Sequence, residues 1–106
     1  MNKLILATEQ GTVVCERKDD SWHESLRGLT DQHVTSITAR DTVIHAGTEN
    51  GIFRSDDEGQ TWKETSAGLT ARHIRWIASH PQNSRLVLAG TEPASIFLSK
   101  DGGESW

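Results

Sequence analysis

The sequence predicts an all-β fold built from repeated antiparallel units, and three observations carry that prediction. The first is self-similarity. Under a shift of 40 residues, Thr8-Glu9-Gln10-Gly11 falls on Thr48-Glu49-Asn50-Gly51, Trp22 on Trp62, Gly28-Leu29-Thr30 on Gly68-Leu69-Thr70, and His33-Val34 on His73-Ile74, with no gap. A third copy begins at an offset of 43, where Ala46-Gly47-Thr48-Glu49 meets Ala89-Gly90-Thr91-Glu92, and the offset reaches 44 where Ile52-Phe53 meets Ile96-Phe97. The second is period-2 alternation in short runs bounded by Gly, Asp and Ser, with no helical run of convincing length. The third is a recurring corner, Ser55-Asp56-Asp57-Glu58-Gly59-Gln60-Thr61-Trp62, which returns as Ser99-Lys100-Asp101-Gly102-Gly103-Glu104-Ser105-Trp106.

Taken in order, Lys3 to Thr8 reads as the second strand of a unit whose inner strand is missing. His33 to Arg40 alternates Val34, Ser36 and Thr38 against Thr35, Ile37 and Ala39, the pattern of an inner strand. Val43 to Thr48 follows after Asp41-Thr42, and Glu49-Asn50-Gly51 turns into Ile52 to Ser55, Asn-Gly being a strong hairpin signal. The acidic corner then turns the chain into Thr61 to Thr65, and Ser66-Ala67-Gly68-Leu69-Thr70 leads to the next unit. A period of about 40 residues fits a four-stranded propeller blade. The expected architecture is therefore a partial β-propeller of about two and a half antiparallel blades: part of a blade over 1–30, a full blade over 31–70 and an incomplete blade over 71–106. Closed propellers use about 4–8 blades, because closure hides sheet edges. The expectation that follows is an N-terminal piece of a longer chain, with assembly of several copies into one ring as the alternative.

The corner has a physical reading of its own. A short Asp carboxylate accepts hydrogen bonds from turn amides, and Gly supplies the positive φ that closes a tight loop. A hydroxyl satisfies another local backbone group, and a Trp anchors the outgoing strand. The spacing S-x-D-x-G-x-T-W resembles the Asp-box of the BNR-repeat β-propellers, a group that includes the sialidases and non-enzymatic WD40-like and YVTN-like relatives. The resemblance implies that Ser55, Asp57, Gly59, Thr61 and Trp62, with Ser99, Asp101, Gly103, Ser105 and Trp106, are structural. It places them between the third and fourth strands of a blade, at the outer rim and away from the axial cleft. The first copy, Cys15-Glu16-Arg17-Lys18-Asp19-Asp20-Ser21-Trp22, keeps only Ser21-Trp22 and should close some other way.

Composition narrows the function classes. The chain has 106 residues, a net charge of −4 and 11 scattered Lys and Arg, so a basic nucleic-acid face is not expected. A single cysteine, Cys15, cannot form an internal disulfide, which suits a reducing compartment. Leu4-Ile5-Leu6-Ala7 is too short for a signal-peptide core or a membrane span, and a cytoplasmic location is expected.

Neither a metal nor a cofactor is expected. Asp56-Asp57-Glu58 does not follow a calcium-loop spacing, and the five histidines form no H-x-H or H-E-x-x-H pattern. The candidate ligand-binding residues are Arg72, Arg75 and Trp76. Trp76 aligns with Ser36 and so is not demanded by the repeat; it is either core filler or an aromatic platform of the kind that binds sugars. Glu92-Pro93 also departs from the repeat. The chain has no tyrosine, and the resemblance implies that a sialidase needs a Tyr nucleophile, so no such nucleophile lies within these residues. The expected function is a non-catalytic propeller segment that scaffolds or binds a carbohydrate or protein ligand. Its partners would be further blades of a longer chain or other copies of itself. The alternative is the N-terminal fragment of a sialidase-like glycoside hydrolase whose catalytic residues lie beyond Trp106.

Overall fold

The computed structural model describes residues 2–106, and among them there is no helix. Ten strands form three antiparallel sheets. Sheet I contains β1 (Lys3–Thr8), β2 (Gly11–Lys18) and β3 (Ser21–Gly28), in that spatial order. Sheet II contains β4 (Val34–Arg40), β5 (Val43–Thr48), β6 (Gly51–Ser55) and β7 (Lys63–Glu64), and sheet III contains β8 (His73–Ser79), β9 (Val87–Glu92) and β10 (Ser95–Ser99). Each strand pairs with its sequence neighbour within its own sheet, so the order of the repeat is the order of the fold. Sheet I starts at the second strand position, and its β1 edge is unpaired among the described residues.

The sheets stack face to face because each unit has apolar residues at alternate positions on both faces. Between sheets II and III the core holds Ile52, Ile74, Ile77, Val87 and Ala89, with Leu69 and Trp106 packed against it. Gly47 matters at this contact. The Ile74 side chain closes directly on it, and a Cβ there would stand 2.5 Å from Ile74 Cγ2. Polar bonds fix the same pairing: Thr35 Oγ1 donates to the Ile74 carbonyl at 2.5 Å, and the Ile77 amide donates to Ser36 Oγ at 3.1 Å. Between sheets I and II, Val14 lies 3.3 Å from the position a Gly59 Cβ would take, and Ile44 is buried.

Two local readings are corrected. The fourth strand of sheet II covers only Lys63–Glu64, not Thr61 to Thr65. The Asp57 bonds to Thr61 and the indole bond of Trp62 to the Gly59 carbonyl hold those two residues in the loop instead. Trp22, the repeat partner of Trp62, does not anchor a strand. It lies in β3 opposite Arg17 and is 44% exposed. The physical reason is the first corner. Asp19 and Asp20, with φ of 51° and 67°, reverse the chain in two residues, so the ladder continues to Lys18↔Ser21 and carries Trp22 within it.

Candidate functional site

The two acidic corners are built alike. After β6, Ser55 Oγ donates to Asp57 Oδ1 at 2.8 Å and accepts from the Gly59 amide at 2.8 Å. The Asp57 carboxylate then accepts from the Thr61 amide at 2.8 Å and from Thr61 Oγ1 at 2.6 Å. After β10, Ser99 Oγ donates to Asp101 Oδ1 at 2.7 Å and accepts from the Gly103 amide at 2.8 Å. Asp101 accepts from the Ser105 amide at 2.9 Å and from Ser105 Oγ at 2.5 Å.

Both carboxylates are held in the ionised form by these donors. The Thr61 bonds lead in lowering Asp57 to about 2, and the Ser105 bonds lead in holding Asp101 well below the usual carboxylate range. A carboxylate so committed to its own loop has little left for a proton transfer or a cation. Among the described residues no group of three or more His, Cys, Asp or Glu side chains is placed to hold a metal. The corner tryptophans close onto neighbouring backbone. Trp62 Nε1 donates to the Gly59 carbonyl at 3.2 Å, and Trp106 donates from Nε1 to the Thr65 carbonyl and from its amide to the Ala67 carbonyl, both at 2.8 Å.

The three candidate ligand residues do not converge. Arg72 is taken up by the hairpin of sheet II: its guanidinium donates to Asn50 Oδ1 at 3.0 Å, to the Asn50 carbonyl at 3.2 Å and to Glu64. Arg75 forms an exposed ion pair with Glu92 at 3.0 Å. Trp76 lies across Gly90 on the open face of sheet III, 42% exposed, beside a shallow cavity of about 380 Å³ that neither arginine lines.

Two other places were not legible from spacing. One is a polar cleft of about 540 Å³ between the outer ends of sheets II and III, lined by Arg40, Arg54, Arg85 and Asp101 with His45. His45 is 4% exposed, and its Nδ1 has no hydrogen-bond partner. Burial, reinforced by the Arg54 charge, lowers its pKa to about 4, so the imidazole is neutral at pH 7. Two of its arginines are paired: Arg54 donates to Asp56 at 2.7 Å and to the Gly102 carbonyl at 2.5 Å, and Arg40 donates to the His80 carbonyl at 2.8 Å. The only sequence signal for His45 was its place among the five histidines, which form no ligand spacing.

The other is an apolar cavity of about 590 Å³ beside the free edge of β1, lined by Leu4, Ile5, Ile37, Ala39 and Ile44, with Lys3 and Glu58 at its rim. It lies between β1 and the inner strand of sheet II. An unpaired strand edge above an apolar floor is what an extended peptide needs in order to add as another strand.

Three successive antiparallel sheets of this order define a partial β-propeller. A solved structure described as "YCF48 bound to D1 peptide", a β-propeller protein, matches 99% of this chain with a TM-score of 0.73 and 19% sequence identity. The chain spans 36% of the length of that structure. No protein-family model matches the sequence, and no curated protein matches it. No described helix is long and apolar enough to cross a membrane.

Proposed function

We propose that this chain is a non-catalytic segment of a β-propeller of the BNR or Asp-box type, acting as a scaffold that binds protein segments in extended form. The observation that carries this reading is the commitment of both corner carboxylates to their own loops, where they hold turns. Blade limits of 1–30, 31–70 and 71–106 belong to the same proposal, as does a cytoplasmic setting, which the single thiol suits. The free β1 edge and its apolar floor support an extended protein ligand over a sugar, since Arg72, Arg75 and Trp76 form no common pocket. The similar propeller solved with a bound peptide supports the same choice.

A peptide spanning residues 33–40, the inner strand of sheet II, is a suitable probe. Bound as an added strand, it slows hydrogen exchange at the outward amides of Lys3–Thr8. Unchanged exchange there at saturating peptide would remove the binding half of the proposal. For the non-catalytic half, a panel of fluorogenic sialosides and other glycosides should show no turnover. Turnover by the purified chain would establish the enzymatic alternative.

A further inference from the structure

Across sheet II, Thr38 stands opposite His45 and His45 opposite Arg54, a polar row over three strands. The same register reads Ile5 and Val14 on sheet I, and Ala78, Leu88 and Leu98 on sheet III. The repeat therefore builds this level from apolar side chains, and sheet II departs from it at every position.

The row forms one wall of the polar cleft of about 540 Å³ between sheets II and III. Both walls belong to this one joint. Thr38 Oγ1 and Ser79 Oγ meet across it at 3.3 Å, and a Cβ on Gly103 would stand 2.7 Å from His45 Cε1. The imidazole is buried there with Nδ1 unpartnered. Such an orphan costs free energy that a leucine at the same register would not. Packing alone gives no reason for a histidine at this place.

The groups left unengaged around it are donors. Arg85 is bonded through its backbone, whose amide donates to Asn83 Oδ1 and whose carbonyl accepts from the Gly102 amide. Its guanidinium has no partner among the described residues. Arg40 spends only Nη1, on the His80 carbonyl. Arg54 is engaged by Asp56, the Gly102 carbonyl and Glu104. Among the carboxylates, Asp101 is taken up by Ser99 and Ser105, and Asp41 lines the cleft and opposes an anion. A cation would meet three arginines, and an apolar ligand would leave their donors unpaired. Free guanidinium forks suit an acceptor with several oxygens.

The geometry points to a binding site for a small phosphomonoester, with its phosphoryl group on Arg85 and Arg40 beside the His45 imidazole. The cleft falls within the range of about 300–1,000 Å³ typical of small-molecule sites, which leaves room for an organic body. The site lies at a different joint from the β1 edge and does not depend on whether the chain binds peptides.

NMR of the histidine rings reads it, with glycerol 3-phosphate as the probe. The ester shifts the His45 signals saturably and leaves the exposed His23 on sheet I unmoved. An anion beside the ring favours the imidazolium, as Asp56 and Glu104 do and Arg54 does not, so the His45 pKa rises from about 4 at saturation. Arg85→Ala removes an exposed side chain that holds no bond of the fold. It should weaken binding at least about tenfold, the worth of one charge-assisted hydrogen bond. An unchanged affinity in Arg85→Ala would overturn the site, as would an equal shift from sodium chloride at the same ionic strength. No shift at His45 up to about 10 mM ester would overturn it as well. Inorganic phosphate binding as tightly as the ester would overturn the organic body.

Discussion

Between β2 and β3 the chain reverses through Asp19 and Asp20, whereas at the same place in the next repeat the reversal runs from Asp56 to Trp62. The short turn leaves β3 eight residues long, bonded to β2 along its length apart from one bulge between Val14 and Cys15. The long corner leaves β7 two residues long; in the loop the Gly59 and Thr61 amides are satisfied by the Ser55 and Asp57 side chains, and those of Glu58 and Gln60 by the Thr42 and Asp57 carbonyls. Backbone donors are satisfied in both cases, by the ladder at one corner and by side chains and loop carbonyls at the other. The side-chain solution concentrates stability in a few groups, and substitution at each corner should show it.

Exchanging residues at one repeat position gives the largest contrast. Gly59 and Asp19 are equivalent, 40 positions apart. Gly59 sits at φ 91° with Val14, Ile44 and Trp62 close to where a side chain would point. Gly59→Asp places a carboxylate among apolar groups in a conformation L residues rarely adopt, and should cost more than about 3 kcal/mol. Thermal melting measures it, and a loss under about 1 kcal/mol would show that the corner tolerates a side chain there.

Next in size is the hydroxyl that starts the loop. Ser55 is 1% exposed and accepts from the buried Gly59 amide. Ser55→Ala leaves that amide unpaired and should cost about 1–3 kcal/mol. The equivalent substitution at the first corner, Cys15→Ala, breaks no hydrogen bond of the turn and should cost less. Equal losses at the two positions would mean that the serine contributes packing alone.

The pH profile separates the corners from the cleft beside them. Asp57 titrates near 2 in the folded state, below its ordinary 3.8, so its contribution is intact above about pH 4 and is lost as pH falls toward 2. Asp101 is displaced in the same direction. His45 acts in a higher window. Its folded value of about 4 lies below the usual 6.5, so the unfolded chain binds the proton more readily and stability falls as pH drops from 6.5 to 4. Arg54 opposes the imidazolium there, while Asp56 and Glu104 favour it. Denaturant melts should therefore show two descending steps. His45→Gln should remove the upper step, and Asp57→Asn together with Asp101→Asn should flatten the lower one.

The sheet order was legible because a 40-residue period with an Asn-Gly turn in its second copy fixes strand succession without long-range information. The fate of Trp22 was not. Repeat equivalence pairs it with Trp62, but two left-handed aspartates upstream keep it in a ladder, and a conformation at Asp19 and Asp20 is not written in residue type alone. Arg72 was legible as a cation but not as a clasp on Asn50 and Glu64, because those partners lie 22 and 8 positions away, one in the turn between β5 and β6 and the other on β7. The polar cleft at His45 was hidden for the same reason, since it joins side chains of two blades.

The smallest effect is the reverse exchange, Asp19→Gly. At φ 51° an aspartate is in the left-handed region, and relieving it should favour the folded state by about 1 kcal/mol. The added freedom of glycine in the unfolded chain opposes this by about 0.4–1 kcal/mol. The two nearly cancel, so the melting temperature should hardly move. Gly59→Asp and Asp19→Gly thus put the same two residue types at one place in the repeat with very unequal outcomes. A large loss on Asp19→Gly would break the comparison, because it would mean that the Asp19 carboxylate makes a bond that closes the first turn. The only carboxylate bond seen within that turn is the one from Arg17 to Asp20, at 3.2 Å.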